Sequence, residues 1–318
     1  MIVYVTGGAG FLGSHLCDKL IEQSHQVVCI DNLLTGTRKN IEHLLDNPNF
    51  EFLEHDVTKP LPDNIHADQV YHLASPASPN FKSPKSYHAL AFETMQVNTT
   101  GTWNLAQWCV KNGAKFLFAS TSEIYGDPLQ HPQKEEYRGN VSTTGPRSVY
   151  DEAKRFGETI TAAFIRSKGL DGKIIRIFNT YGPRMAIDDG RVVTEFIKAS
   201  LEHRFFPVFG DGTQTRSFCY VSDLIDGIVL TMKKGAIGEI YNLGNPNEYT
   251  VLELGKKIIK LTNSESELVT KEPLPEDDPL QRCPDITKAK DQLGWVPKIG
   301  LEEGLKKTIE YYNGKLNH

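Results

Sequence analysis

The chain has 318 residues, 39% apolar and 24% charged, the composition of a globular protein with a sizeable core and a length that suggests about two structural units. Lys and Arg number 35 against 40 Asp and Glu, a formal charge of −5, and so mild an acidity excludes sequence-independent nucleic-acid binding, which needs a dense basic surface. No apolar run reaches the roughly 18 residues of a membrane span, and Met1 leads straight into Ile2-Val3-Tyr4-Val5 without a charged n-region, so neither a membrane segment nor a secretory signal is expected.

In chain order, Ile2 to Thr6 is β-branched and aromatic, Gly7 to Gly13 is glycine-rich, Ser14 to Ser24 carries Leu16, Leu20 and Ile21 at helical spacing, and Gln26 to Ile30 is apolar again and ends on Asp31. That is one strand–helix–strand unit of a parallel sheet. Phe50 to Leu53, Gln69 to Leu73, Phe116 to Ser120 and Lys173 to Phe178 read as further buried strands, and Thr99 to Lys111 and Tyr150 to Ser167 as helices. The alternation predicts an α/β protein with a Rossmann-type doubly wound parallel sheet. Beyond about residue 180 loops lengthen and prolines gather (Pro273, Pro275, Pro279, Pro284), with helices at Val251–Leu261 and Leu301–Tyr312. Residues 1–180 are therefore expected to form a dinucleotide-binding domain and 181–318 a smaller, discontinuous α/β lobe. Phe218–Met232 and Ile240–Leu243 could return to the first domain.

The five cysteines, Cys17, Cys29, Cys109, Cys219 and Cys283, are odd in number and widely spaced, which argues against a disulfide framework and for a reducing, cytoplasmic setting. No metal-ligand spacing such as H-E-x-x-H occurs among the ten histidines, so no metal is expected.

Thr6-Gly7-Gly8-Ala9-Gly10-Phe11-Leu12-Gly13 holds two overlapping glycine patterns, one on Gly8, Gly10 and Gly13 and one on Gly7, Gly10 and Gly13. The loop follows a strand and opens a helix, whose free N–H groups and positive dipole end attract a pyrophosphate. Asp31, 18 residues after Gly13, is placed to accept both ribose hydroxyls and to repel a 2′-phosphate. The cofactor expected is NAD, and Arg38 and Lys39 leave NADP open. Tyr150 and Lys154, at i and i+4, share a helix face. An ammonium beside a phenol is expected to lower its pKa towards neutrality, and Thr121 and Ser122, at the end of a sheet strand, can hydrogen-bond the same substrate oxygen.

With these residues in view, the chain resembles the extended short-chain dehydrogenases/reductases, and among them the UDP-glucuronate decarboxylases that make UDP-xylose. The resemblance runs nearly end to end, through TGGAGFLGSHL (6–16), YHLASPASP (71–79), ASTSEIYGDP (119–128), GPRSVYDEAKR (145–155), RIFNTYGPRM (176–185), DDGRVV (188–193), GDGTQTRSFCYVSDL (210–224) and DDPLQRCPDITKAK (277–290). It implies that NAD oxidises C4 of UDP-glucuronate, that CO₂ leaves β to the new ketone, and that the hydride returns. In that cycle Tyr150 takes the C4 hydroxyl proton, Lys154 supports the phenolate and the cofactor ribose, and Thr121 or Ser122 bonds O4. Glu123 would stand beside the substrate carboxylate and repel it, or serve instead as the buried partner of an arginine. Arg282 would neutralise the diphosphate or deliver a proton to C5.

The resemblance assigns cofactor contacts to Gly7, Gly10, Phe11, Leu12, Gly13, Asp31, Asn32, Thr35, Gly36, Asp56 (to the adenine amino group), Val57, Leu73, Ser75, Ala119, Tyr150, Lys154 and Thr180. It assigns substrate contacts to Asn179, Arg191, Arg216 and Arg282, with Phe209 shaping the uracil pocket. Relatives pair through two helices, here about 99–111 and 150–167, so a homodimer is expected, with Trp103, Trp108 and Phe156 as seam or core residues. Segment 80–97 is several residues longer than in the decarboxylases, and Gln96 stands where they carry a lysine. Phe81, Tyr87 and Phe92 are expected to pack this loop against the lobe. Open alternatives are release of a 4-keto-pentose with NADH, 4-epimerisation, 4,6-dehydration (disfavoured because Ser122 takes the place of an acid), and a non-catalytic NAD-binding regulator.

Overall fold

The computed structural model describes residues 1–62, 65–272 and 281–316. Pro273, Pro275 and Pro279, with the first residues of the 277–290 match, lie outside the described residues. The first half alternates as β1 (Ile2–Thr6), α1 (Phe11–Glu22), β2 (Gln26–Asp31), β3 (Phe50–Glu54), β4 (Gln69–His72), α2 (Ala91–Gln96), α3 (Thr102–Asn112), β5 (Lys115–Thr121), α4 (Ser148–Lys168) and β6 (Gly172–Ile177). A single π turn, Val97–Gly101, joins α2 to α3, so the helix read from Thr99 is the second part of a longer one starting at Ala91. The second half holds β7 (Thr180–Tyr181), α5 (Val192–Leu201), β8 (Phe206–Phe209), β9 (Thr215–Ser217), β10 (Cys219–Tyr220), α6 (Val221–Lys234) and β11 (Ile240–Leu243). It ends with β12 (Glu248–Thr250), α7 (Val251–Thr262), β13 (Leu268–Glu272), β14 (Gln281–Arg282) and α8 (Leu301–Leu316).

Seven strands form one parallel sheet in the order β11-β6-β5-β4-β1-β2-β3. Successive side chains of a buried strand point to opposite faces, so each strand feeds two cores. On β1, Val3 and Val5 join the core that includes Leu16, Ile228 and Leu305, while Tyr4 joins the one with Trp108, Phe116 and Phe164. Helices thus cover both faces. β11 pairs with β6 from Ile240↔Ile174 to Leu243↔Ile177, and α6 packs on α1, so Val221–Leu243 is built into the first layer system. In the lobe, β9 lies between β12 and β14 and β8 pairs with β13, while α5 packs against α7. A capping box, Thr250 with Glu253, starts α7.

Chain order reverses between β1 and β4. In such a sheet the crevice past the carboxyl ends of these strands is where ligands bind, and Gly7–Gly13, Leu73–Ser75 and Thr121–Glu123 follow those ends.

Candidate active site

One cleft of about 1450 Å³ runs from the glycine loop across the sheet ends to β8, β9 and β14. Its dinucleotide end is made by α1. Gly7 sits at φ +72°, and an added Cβ would lie 2.7 Å from the Ala74 backbone. A Cβ on Gly13 would lie 2.1 Å from the Gly7 carbonyl oxygen, so glycine here lets the helix start directly on the turn. A Cβ on Gly10 would meet only the Gly7 oxygen, at 3.1 Å, and this glycine lines the cleft. Gly8 does different work: its Cβ would strike the Cys29 sulfur at 2.5 Å. The pattern on Gly7, Gly10 and Gly13 is therefore the one that faces the cleft. The first amide bonded within α1 is that of Ser14, to Gly10 O at 3.1 Å. The N–H groups of Phe11, Leu12 and Gly13 precede that bond and point outward, as a helix N-terminus requires.

Asp31 is buried and accepts from Ala9 N (3.0 Å) and Leu33 N (2.8 Å). Burial raises its pKa and the two N–H donors oppose the rise. Gly36 stands behind it: a Cβ there would be 3.0 Å from both carboxylate oxygens, and of the expected cofactor contacts it alone is absent from the cleft wall. Asn32, Thr35, Asp56, Val57, Leu73, Ser75, Ala119 and Thr180 all line the cleft. One Asp56 oxygen is taken by Thr58 N and Oγ1 at 3.0 and 2.8 Å. Arg38, which left NADP open, donates to Glu54 (2.9 Å) and lies over the Phe52 ring.

At the centre, Tyr150 and Lys154 on α4 face the end of β5. Burial pushes the pKa of the Tyr150 phenol up to about 12, with the Arg191 cation and then the Thr121 hydroxyl pulling it down. This corrects the expectation that Lys154 brings the phenol towards neutrality. Lys154 Nζ donates to Ala119 O (2.8 Å) and sits 5.8 Å from the Tyr150 ring centre, and burial lowers its own pKa to about 7, opposed by Glu158. The cation that acts most on Tyr150 is Arg191, held by Asp189 (2.8 and 2.9 Å) and by Ala77 O (2.6 Å).

Glu123 lies between two guanidinium groups, Arg147 on one oxygen and Arg282 on the other. Burial would raise its pKa, but the two cations outweigh burial and hold the carboxyl well below its usual range. The expected repulsion of a substrate carboxylate is corrected accordingly: with both arginines the trio carries one net positive charge. Arg147 was not anticipated, although a buried carboxylate demands a cation and GPR directly precedes α4. Arg282 is 4% exposed, and its Nη2 has no hydrogen-bond partner among the described residues. Its strand neighbour Arg216 pairs with it in register and donates to Thr215 O (2.8 Å). Asn179, Ser122 and Phe209 complete this end of the wall.

The loop after Ser75 departs from expectation. Phe81 and Phe92 are 64% and 73% exposed, so neither packs the loop down. Tyr87 does, and its ring stacks on Tyr150 at 4.9 Å and 13°. Away from the cleft, His131, Glu248 and Cys283 bring three possible ligand atoms within 4.8 Å of one another, a grouping that spacing could not reveal. The His131–Glu248 ion pair (2.8 Å) and the Thr215 hydroxyl already engage two of those side chains. All five cysteines are buried and unpaired, and no described helix is long and apolar enough to cross a membrane.

Comparison with known proteins agrees with this geometry. The NAD dependent epimerase/dehydratase family matches residues 3–244. UDP-glucuronic acid decarboxylase 1 of Arabidopsis thaliana is 48% identical over 314 residues, covering 99% of this chain and 70% of the relative. The Danio rerio protein of the same name is 48% identical over 318 residues, covering 99% and 73%. UDP-glucuronic acid 4-epimerase from Bacillus cereus, solved with UDP-glucuronic acid and NAD, superposes with a TM-score of 0.84 at 30% identity over 99% of this chain and 100% of that one. A match that begins in β1 and ends just past β11, reinforced by identities spanning the lobe as well, admits one conclusion: the chain belongs to the NAD dependent epimerase/dehydratase family.

Proposed function

We propose that this protein is an NAD-dependent UDP-glucuronate decarboxylase producing UDP-xylose. Near-complete alignment with curated decarboxylases at 48% identity supports the reading. The observation that carries it within the site is the Glu123 trio: two guanidinium groups share one carboxylate, and the neighbouring Asp151, 4.0 Å from Arg147, is pushed up to about 8 by burial and Glu123, which leaves a net positive subsite suited to a sugar carboxylate. Residues 1–180, with Val221–Leu243, would hold the dinucleotide, and the remaining residues of the 181–318 lobe would hold the nucleotide sugar.

The glycine loop, the Phe11–Gly13 amides, Asp31 and Lys154 fit NAD. When bound, it supplies reversible hydride uptake at C4, which makes C4 a ketone β to the carboxylate while CO₂ leaves. Tyr150, as the phenolate, accepts the C4 hydroxyl proton and returns it when the hydride comes back, and C5, left with the electron pair when CO₂ departs, takes its proton from water. Thr121, whose hydroxyl acts on the Tyr150 phenol, orients that oxygen. Arg147 and Arg282 hold the carboxylate until it departs, and Glu123 fixes both guanidinium groups so that neither turns to solvent. Arg216 and Asn179 meet the diphosphate, and Phe209 borders the base. The five buried thiols suit a cytoplasmic, reducing compartment, and the exposed aromatics of α3 and α4 suit a homodimer.

Incubation with UDP-glucuronate and NAD, followed by mass analysis of the nucleotide product, tests this. A UDP-pentose lighter by one CO₂ is expected, without lasting NADH absorbance. An unchanged mass would point to epimerisation, and NADH accumulating with a keto product to release of the 4-keto-pentose; either result would overturn the assignment.

A further inference from the structure

Tyr87 raises a question that the proposed mechanism does not answer. It is 1% exposed, yet its phenol oxygen has no hydrogen-bond partner among the described residues. A buried hydroxyl left unpaired is destabilising relative to a phenylalanine of the same shape, and a phenylalanine would stack on Tyr150 equally well. The hydroxyl therefore calls for a ligand. Its surroundings define one: among the charged and titratable groups acting on it are Arg147, Glu123, Asp151, Tyr150 and Arg191, and Tyr87 lines the cleft with all of these but Asp151. Asp151 Oδ1, His88 Nε2 and Arg282 Nη2 are also unpartnered among the described residues, and of these Arg282 lines the same cleft.

The placement is fixed rather than adaptable. Tyr87 N bonds Ser78 O at 3.1 Å. Ser78 Oγ in turn reaches Asp189 O (2.5 Å), Asn80 Nδ2 reaches Asp188 O (3.1 Å), and Arg191 closes on Ala77 O (2.6 Å). The loop is thus tied to the 188–191 segment, and a Cβ on Gly190 would lie 2.4 Å from that of Asn80.

We propose that Tyr87 is a specificity-determining residue, donating a hydrogen bond to the sugar-ring carboxylate of a nucleotide uronate alongside Arg282 Nη2, while its ring holds Tyr150 against Thr121. This rests on the uronate reading above. Burial keeps the phenol protonated, so it offers a donor and no negative charge, which suits an anionic acceptor.

The test uses protein loaded with NADH, which cannot take the C4 hydride and so binds without turnover, parent and Tyr87→Phe, titrated calorimetrically with UDP-glucuronate, its methyl ester and UDP-glucose. Loss of one hydrogen bond to a charged group predicts weakening on the order of tenfold for UDP-glucuronate, with UDP-glucose and the ester unchanged within about twofold. In turnover, KM rises more than kcat falls. Tyr87→Leu, which also removes the ring, should lower kcat and shift its pH profile. Equal weakening for all three ligands, or none for UDP-glucuronate, overturns the proposal. NAD-loaded parent protein that binds UDP-glucuronate without releasing CO₂ defeats the decarboxylase reading alone, and the titrations still decide the role of Tyr87.

Discussion

Tyr150 carries the proton chemistry from an unfavourable starting point, because burial holds its phenol at about 12 and Arg191 is the largest influence in the opposite direction. A cation favours the phenolate, so removing it raises the phenol's affinity for its proton. In Arg191→Gln the acidic limb of the kcat–pH profile should therefore move to higher pH. Each unit of movement lowers kcat on that limb about tenfold, and Arg191→Lys should restore part of the loss. A limb that stays in place in Arg191→Gln would show that Arg191 does not tune Tyr150.

The same residues show what could be read from sequence. Tyr150 and Lys154 share one helix, and the glycine loop and Asp31 share one strand–helix–strand unit, so local spacing displays them. Glu123 finds its partners 24 and 159 residues away, and Tyr87 meets Tyr150 through a loop whose course no periodicity dictates. Those contacts belong to tertiary packing, which is also why Lys154 looked like the cation that matters when Arg191 is.

At the scale of elements, the site depends on how closely α4 lies on β5. Gly157, two turns past Tyr150, marks the closest approach: an added Cβ would be 2.4 Å from Phe118 Cζ and 2.9 Å from Asn98 O. Phe118 is fully buried, so the ring has little room to yield. Gly157→Ala should cost about 1–3 kcal/mol by overpacking, partly offset by alanine's better helix propensity. It should also lower kcat, because a displaced α4 carries Tyr150 and Lys154 with it. Urea denaturation together with turnover measures both, and a variant as stable and as active as the parent would show that the helix adapts. Of the seven strands of the parallel sheet, six were legible as short runs rich in apolar and β-branched residues. α5, and the two- and three-residue strands of the lobe, were not. Three residues hold no period, and β9 is a strand only because β12 and β14, some 30 and 65 residues on, supply its partners. β11 is four residues long, and what places it is its register with β6.

At the scale of the whole molecule, the outer faces of α3 and α4 are where the proposed homodimer would form. The expectation grouped Trp103, Trp108 and Phe156. Trp108 stacks on Tyr4 at 5.6 Å within the core, whereas Trp103 and Phe156 are 52% and 54% exposed. Two large aromatics on adjacent helices suit a helix–helix seam, and a specific interface of roughly 1,200 Å² or more would bury both. Sedimentation equilibrium should give about twice the 35.6 kDa chain mass, and Trp103→Glu with Phe156→Glu should return a single-chain species by placing like charges across the seam. Tyr150 and Lys154 occupy the buried face of the helix whose exposed face carries Phe156, so the double variant should still bind NAD. A parent protein that sediments as one chain at micromolar concentration would remove dimerisation from the account and leave the two aromatics as ordinary surface residues.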